Sequence, residues 1–168
     1  NVGLRLEKCL ERLSKAGITL NKAKCSFHQD EIEFLGHVVG QNGIKAHTAK
    51  VAAIQEIEQP TDLKSLRRFL GMVNQMGKFL PHLSDETEPL RSLLSPKTKW
   101  IWETEQRDAF NKVKNMLSST PILSPYDYQR PTKVSADSSS YGLGAVLLQK
   151  NDNEWKPVAY ASRSLSET

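Results

Sequence analysis

Few residues in this chain combine a reactive type with a placement that suits chemistry. Asp137 stands at the end of a strand-like run, between Ala136 and Ser138. A carboxylate beside a small-residue turn can reach a divalent cation without steric competition, yet two-metal phosphodiester chemistry needs several converging acids. The same position suits an aspartate that caps the turn at Ser138-Ser139-Ser140. Cys25 and His28 have Cys-x-x-His spacing, but a structural zinc site needs about four ligands, and only Cys9 and scattered histidines remain to complete one. A buried thiol beside a surface histidine is the simpler reading. Arg67, Gly71, Asn74 and Lys78 recur at helical spacing. Such a stripe could follow a nucleic-acid backbone, the glycine permitting close approach and the other side chains meeting phosphates and sugars. Any solvated helix face shows the same pattern. No Gly-rich phosphate loop, Ser/His/Asp set or Cys/His nucleophile is present, and Trp100-x-Trp102 reads as core at the start of a helix.

The elements that must position these residues follow from periodicity. Leu4, Leu6, Leu10 and Leu13 share a helical face that Gly17 stops. Ile32, Phe34, Leu35, Val38 and Val39 form a strand-like run, and Asn42-Gly43 signals a tight turn before Ile44. Val51, Ile54 and Ile57 are spaced for a helix that begins at His47 or Thr48 and ends by Pro60. Thr61 or Asp62 caps the next helix. Its apolar stripe is Leu66, Phe69, Leu70, Val73, Met76, Phe79 and Leu80, closed by Pro81, with Arg67, Gly71, Asn74, Gln75 and Lys78 opposite. A short apolar turn or helix at Pro89 to Leu94 precedes a helix capped by Thr104, with Ala109, Phe110, Val113, Met116 and Leu117 inward. After Pro121 the character changes. Lys133 to Asp137, Leu143 to Gln149 and Pro157 to Ala161 read as three short strands.

With 168 residues the chain is long enough for one compact domain or two small ones. It has 23 Lys and Arg against 19 Asp and Glu, a formal charge of +4, which permits a polyanionic partner without demanding one. No apolar run approaches the ~18 residues that span a bilayer, and no signal segment opens the chain, so membrane and secretory readings are set aside. Two cysteines are too few for a disulfide scaffold and suit a reducing interior. The helical pattern begins almost at Asn1, and Ser166-Glu167-Thr168 stands where another helix could start, so the chain is expected to be cut from a longer polypeptide.

The ordered set of segments is similar to a known family. Leu10-Glu11-Arg12-Leu13, Ala16-Gly17-Ile18-Thr19-Leu20-Asn21 and Lys24-Cys25-Ser26-Phe27 resemble the segment after the catalytic Tyr-x-Asp-Asp loop of retroelement reverse transcriptases. Phe34-Leu35-Gly36-His37-Val38-Val39 with Gly43-Ile44 resembles the primer-grip hairpin. Leu66-Arg67-Arg68-Phe69-Leu70-Gly71, Asn74 and Lys78-Phe79-Leu80-Pro81 resemble the thumb helix. Trp102, Ala109-Phe110, Lys114, Leu117 and Pro121-Ile122-Leu123 match the stretch before ribonuclease H. Ala136-Asp137-Ser138-Ser139, Gly142-Leu143-Gly144-Ala145-Val146-Leu147 and Pro157 through Ser166 resemble that domain's opening meander. The nearest class is the gypsy-like long-terminal-repeat retrotransposons and their retroviral relatives.

The resemblance implies an α+β fold, with a mostly helical thumb and a small hairpin followed by a three-stranded meander. It implies the end of a palm over 1–45, a thumb over 46–120, a linker over 121–130 and the start of ribonuclease H over 131–168. By the same resemblance Asp137 is the first ribonuclease H acid and a magnesium ligand. Gly36 and His37 approach the primer terminus, and Arg67, Gly71, Asn74 and Lys78 face the duplex. The implied partners are an RNA–DNA hybrid or DNA duplex, bound without sequence preference, and the remainder of the polymerase polyprotein. The implied location is cytoplasmic or nuclear, in virus-like particles for the parent element. The chain departs from the family at several points. It has no Tyr-x-Asp-Asp motif and lacks the later ribonuclease H acids, so it is expected to be inactive alone. Gln75-Met76-Gly77 replaces the usual aromatics and basic residue. Two alternatives stand beside this reading: an inactive connection-like domain at 131–168, and a non-catalytic module, derived from a retroelement, that binds nucleic acid or protein.

Overall fold

A computed structural model describes residues 2–165. Asn1 and residues 166–168, where the sequence suggests a new helix and the last residue of the meander motif, lie outside the described residues. The chain divides into two compact units, Asn1–Asp30 and Glu31–Thr168. In the first, α1 (Val2–Lys15) is amphipathic and ends where the Ile18 N–H donates back to the Leu13 carbonyl at 3.0 Å. Leu4 and Leu10 on its apolar face are exposed. A 3-10 turn at Lys22–Lys24 follows, capped by the Asn21 side chain.

The second unit opens with an antiparallel sheet of β1 (Glu31–Phe34), β2 (His37–Gly40) and β3 (Gly43–Ala46), in that order. The strand-like run from Ile32 to Val39 is therefore two strands, folded at Leu35-Gly36. Both turn residues have positive φ, +50° and +76°, the twist that matches a two-residue hairpin. The positive φ is what favours glycine at 36, since a Cβ there would meet only the flexible end of the Lys50 side chain.

The helices follow in a row. His47 caps α2 (Thr48–Gln55), its Nδ1 accepting from the Ala49 N–H at 3.1 Å, and the helix stops short of Pro60. Asp62 caps α3 (Leu63–Gln75), accepting from the Ser65 N–H at 2.7 Å, while Ser65 Oγ accepts from the Asp62 N–H at 3.2 Å. These bonds hold the Asp62 carboxyl below the usual carboxylate range. The expected stripe is buried throughout, from Leu66 to Leu80. It does not, however, lie on one helix. The α-helix ends at Gln75, and Gly77–Phe79 is a 3-10 turn, so Lys78 sits on that turn rather than on the helix face. A short α4 (Leu83–Glu86), which periodicity does not announce, precedes α5 (Glu88–Ser92). The cap of α6 (Thr104–Ser118) is Glu103, boxed with Gln106, and Thr104 is the first helical residue. Phe69 and Phe110 join α3 to α6 with ring centroids 4.6 Å apart. Trp100 and Trp102 pack against this core as the sequence suggests.

The 121–130 stretch is stitched down on both sides. Leu123 is buried and exchanges backbone hydrogen bonds with Ile44 at 2.8 and 2.9 Å. The Ser124 N–H donates to the Pro157 carbonyl at 2.7 Å. Gln149, 1% exposed, donates from Nε2 to the Asp127 carbonyl at 2.7 Å and to Thr132 Oγ1 at 2.8 Å, and accepts from the Asp127 N–H at 2.8 Å. The meander consists of β4 (Thr132–Ser138), β5 (Gly142–Asn151) and β6 (Glu154–Ser164), antiparallel in sequence order and longer than the sequence suggests. The strand order puts β6, and with it Pro157, at the edge of this sheet, where a missing N–H is tolerated, and a register shift falls beside the proline. Helices and antiparallel sheets together give the expected α+β class.

The buried stripe predicts a specific loss. Phe69→Ala should destabilise the protein by about 3–5 kcal/mol, read as a shifted midpoint in urea unfolding.

Candidate functional site

The second unit brings part of the predicted set together and leaves part of it apart. Arg67 and Gly71 are exposed on α3, and a Cβ at Gly71 would meet nothing within 4 Å, so that helix face is open. Asn74 is exposed on the same helix, but its amide oxygen is engaged. Arg91 Nη2 on α5 donates to Asn74 Oδ1 at 2.9 Å. Lys78 is half-buried on the 3-10 turn, with Nζ 5.1 Å from the centroid of its neighbour Phe79, and burial lowers its pKa. His37 on β2 meets the same cluster, its ring tilted against Phe79 with centroids 5.5 Å apart. Phe79 thus carries both His37 and Lys78. Gly36, next to His37, has the structural roles described above.

His37 is electrostatically unusual. Its Nδ1 is buried with no hydrogen-bond partner. Burial lowers its pKa from the ordinary value of 6.5, and the nearby ammonium groups of Lys78 and Lys50 lower it further. A neutral imidazole packed on Phe79 is the consequence.

Asp137 lies on β4 opposite Gly144, away from the α3 cluster, and its Oδ1 accepts from the Ser138 N–H at 2.8 Å. A recess of about 110 Å³ beside it is lined by Pro81, His82, Gly144 and Tyr160. Among the described residues no three His, Cys, Asp or Glu side chains lie close enough to hold a metal ion. Asp137 by itself supplies one ligand group, and a magnesium site needs several converging oxygens. Cys25 and His28 are likewise too few for a zinc site.

Arg91 is the residue that sequence reasoning missed. Its Nε donates to Thr87 Oγ1 at 2.9 Å, and Thr87 is fully buried and itself donates to the Leu83 carbonyl at 2.7 Å. In the sequence it is one cation within a short apolar stretch. Thr87 is a local partner four residues earlier, whereas Asn74 becomes one only when α3 and α5 pack.

Comparison with known proteins finds relatives for most of the chain. Residues 102–168 match the family model of an RNase H-like domain found in reverse transcriptase. Over 159 residues, 94% of this chain, the sequence is 35% identical to the transposon Tf2-3 and Tf2-4 polyproteins of Schizosaccharomyces pombe. Along nearly its whole length the chain is similar to one stretch of these retroelement polyproteins. The chain spans 12% of the length of those curated relatives. A foamy viral protease-reverse transcriptase in complex with dsDNA superposes with a TM-score of 0.80 at 28% identity, over 96% of this chain and 34% of that one. The foamy viral enzyme in complex with RNA/DNA hybrid gives 0.79 at 28%, over 97% and 22%. The retroelement resemblance read from the sequence therefore stands, with gypsy-type relatives.

His37 carries a pH prediction. Its folded-state pKa is depressed, so its contribution to stability is complete above the ordinary imidazole value and is lost as pH falls through the folded value. Urea unfolding at about pH 7.5 and about pH 5 should show a loss on acidification that is smaller in His37→Phe. Equal losses in the two proteins would assign the acid sensitivity elsewhere.

Proposed function

We propose that this chain supplies a duplex-holding surface of a retroelement RNA-directed DNA polymerase and ribonuclease H, working with the rest of its polyprotein inside the cell. Arg67, Gly71, Asn74 and Lys78 face the phosphates and sugars of an RNA–DNA hybrid or DNA duplex, with Gly36 and His37 at the hairpin beside them. Such contacts position a duplex and do not read bases. The observation that carries the reading is charge without compensation. Neither Arg67 nor Lys78 has a carboxylate within 4.0 Å among the described residues, and the helix face that carries Arg67 is open around Gly71. The foamy viral neighbours, solved on dsDNA and on RNA/DNA hybrid, support a partner of the same class. Asp137 contributes the first ribonuclease H acid, and magnesium chemistry belongs to the parent enzyme, whose further acids complete the cluster.

Anisotropy of a labelled hybrid across a salt series tests this. The parent chain should bind weakly at low salt, and Arg67→Ala with Lys78→Ala should reduce the log–log salt slope by roughly 2 without changing the circular dichroism. Gly71→Ala should stabilise the exposed helix by about 1 kcal/mol while weakening binding, because the added methyl stands on the duplex face. A parent that fails to bind even at low salt makes the α3 stripe an ordinary solvated face.

A further inference from the structure

A groove of about 570 Å³ runs between the helical wall, formed by the end of α3, the 3-10 turn, α4 and α5, and the end of β6. Among its lining residues are Asn74, Lys78, Ser84, Arg91, Ser162 and Arg163. No carboxylate lines it, and among the described residues none of its three cations makes an ion pair. The two walls are fastened together below it. The Ser84 N–H donates to Ser162 Oγ at 2.8 Å, the two hydroxyls are in contact, and a Cβ at Gly142 would lie 2.9 Å from Ser84 Cβ.

Arg91 is held as a fixed fork. Thr87 takes its Nε–H and Asn74 takes one Nη2–H, which leaves the Nη1 edge without a partner among the described residues. Burial lowers the pKa of both Arg91 and Lys78, so their charges have lost part of their hydration, and no carboxylate among the described residues compensates them. On the β6 wall, Ser164 Oγ is also buried without a partner. A pre-oriented guanidinium with a free edge, flanked by two further cations and a hydroxyl, matches a phosphate oxygen pair.

We propose that this groove takes a phosphodiester group of a nucleic-acid strand. Arg91 makes the bidentate contact, Lys78 and Arg163 flank it, and Asn74 positions Arg91. The proposal rests on the duplex reading above and extends it, because the strand then touches the meander as well as the helices. Asn74 acts here through its amide oxygen on Arg91.

The test uses the labelled hybrid and inorganic phosphate as separate probes. In anisotropy, Arg91→Gln should weaken hybrid binding about tenfold at low salt and lower the salt slope by about one, and Arg163→Gln should lower the slope as well. Asn74→Ala should weaken the parent yet add little in the Arg91→Gln background. In the unmutated chain, the Arg91 Nε–H NMR signal should move on adding hybrid, which decides the matter even if a variant fails to fold. A folded Arg91→Gln that binds like the parent overturns the groove, while a weakened Arg67→Ala in the same series keeps the duplex reading. An Arg91 signal that moves with inorganic phosphate but not with hybrid overturns the strand assignment in favour of a small anion. A parent that binds no hybrid overturns both readings.

Discussion

One apolar stripe carries the architecture of the second unit. Leu66, Phe69, Leu70 and Val73 on α3 continue into Met76, Phe79 and Leu80 beyond the helix end, and all are buried. Phe110, Val113 and Leu117 of α6 meet the stripe from one direction, and Tyr160 of β6 packs against the same core. Burial of this size is the main favourable contribution to folding. It also dictates where polar groups can go. With the stripe turned inward, Arg67, Gly71 and Asn74 must face out. The break after Gln75 turns Phe79 inward and leaves Lys78 half-exposed beside it.

The same packing sets the electrostatics. Bringing α5 against α3 places Arg91 beside Asn74, and bringing α4 against β6 places Ser84 beside Ser162. Each junction satisfies neutral hydrogen-bonding groups while leaving cations unpaired. A few cations on the unit are paired, as in Lys112 with Glu86 at 2.6 Å. An exposed pair of that kind contributes little to stability. What sets Arg91 and Lys78 apart is partial burial without a carboxylate partner, since unpaired, partly dehydrated cations attract an external anion.

The sequence revealed the elements in proportion to their length. α3 and α6 carry full apolar periods and could be read directly, and the three meander strands were recognisable from the turns between them. The Ile32–Val39 run hid a turn, because Leu35 adopts a left-handed conformation that its side chain does not advertise. α4 is four residues long, too short for any period to register. Gln149 looked like one more strand residue, yet it clamps Asp127 and Thr132, an arrangement that exists only after β5 pairs and the 121–130 stretch folds over it. For the site, Arg67, Gly71 and Asn74 were legible as a helix face. The partnership of Asn74 with Arg91 spans 17 residues and two elements, and only packing creates it. The role of Asp137 came from family resemblance, since one acid at a turn carries too little chemical information by itself.

The central claim is that one packed core presents a helical wall and a meander wall to the same nucleic-acid strand. Amide hydrogen exchange of the intact chain, with and without a saturating RNA–DNA hybrid, tests it most directly, because exchange reports each segment separately. The account predicts that added protection appears together on the segment from Asn74 to Arg91 and on the end of β6 around Ser162 and Arg163. Protection confined to α3, or absent from both walls, would contradict it.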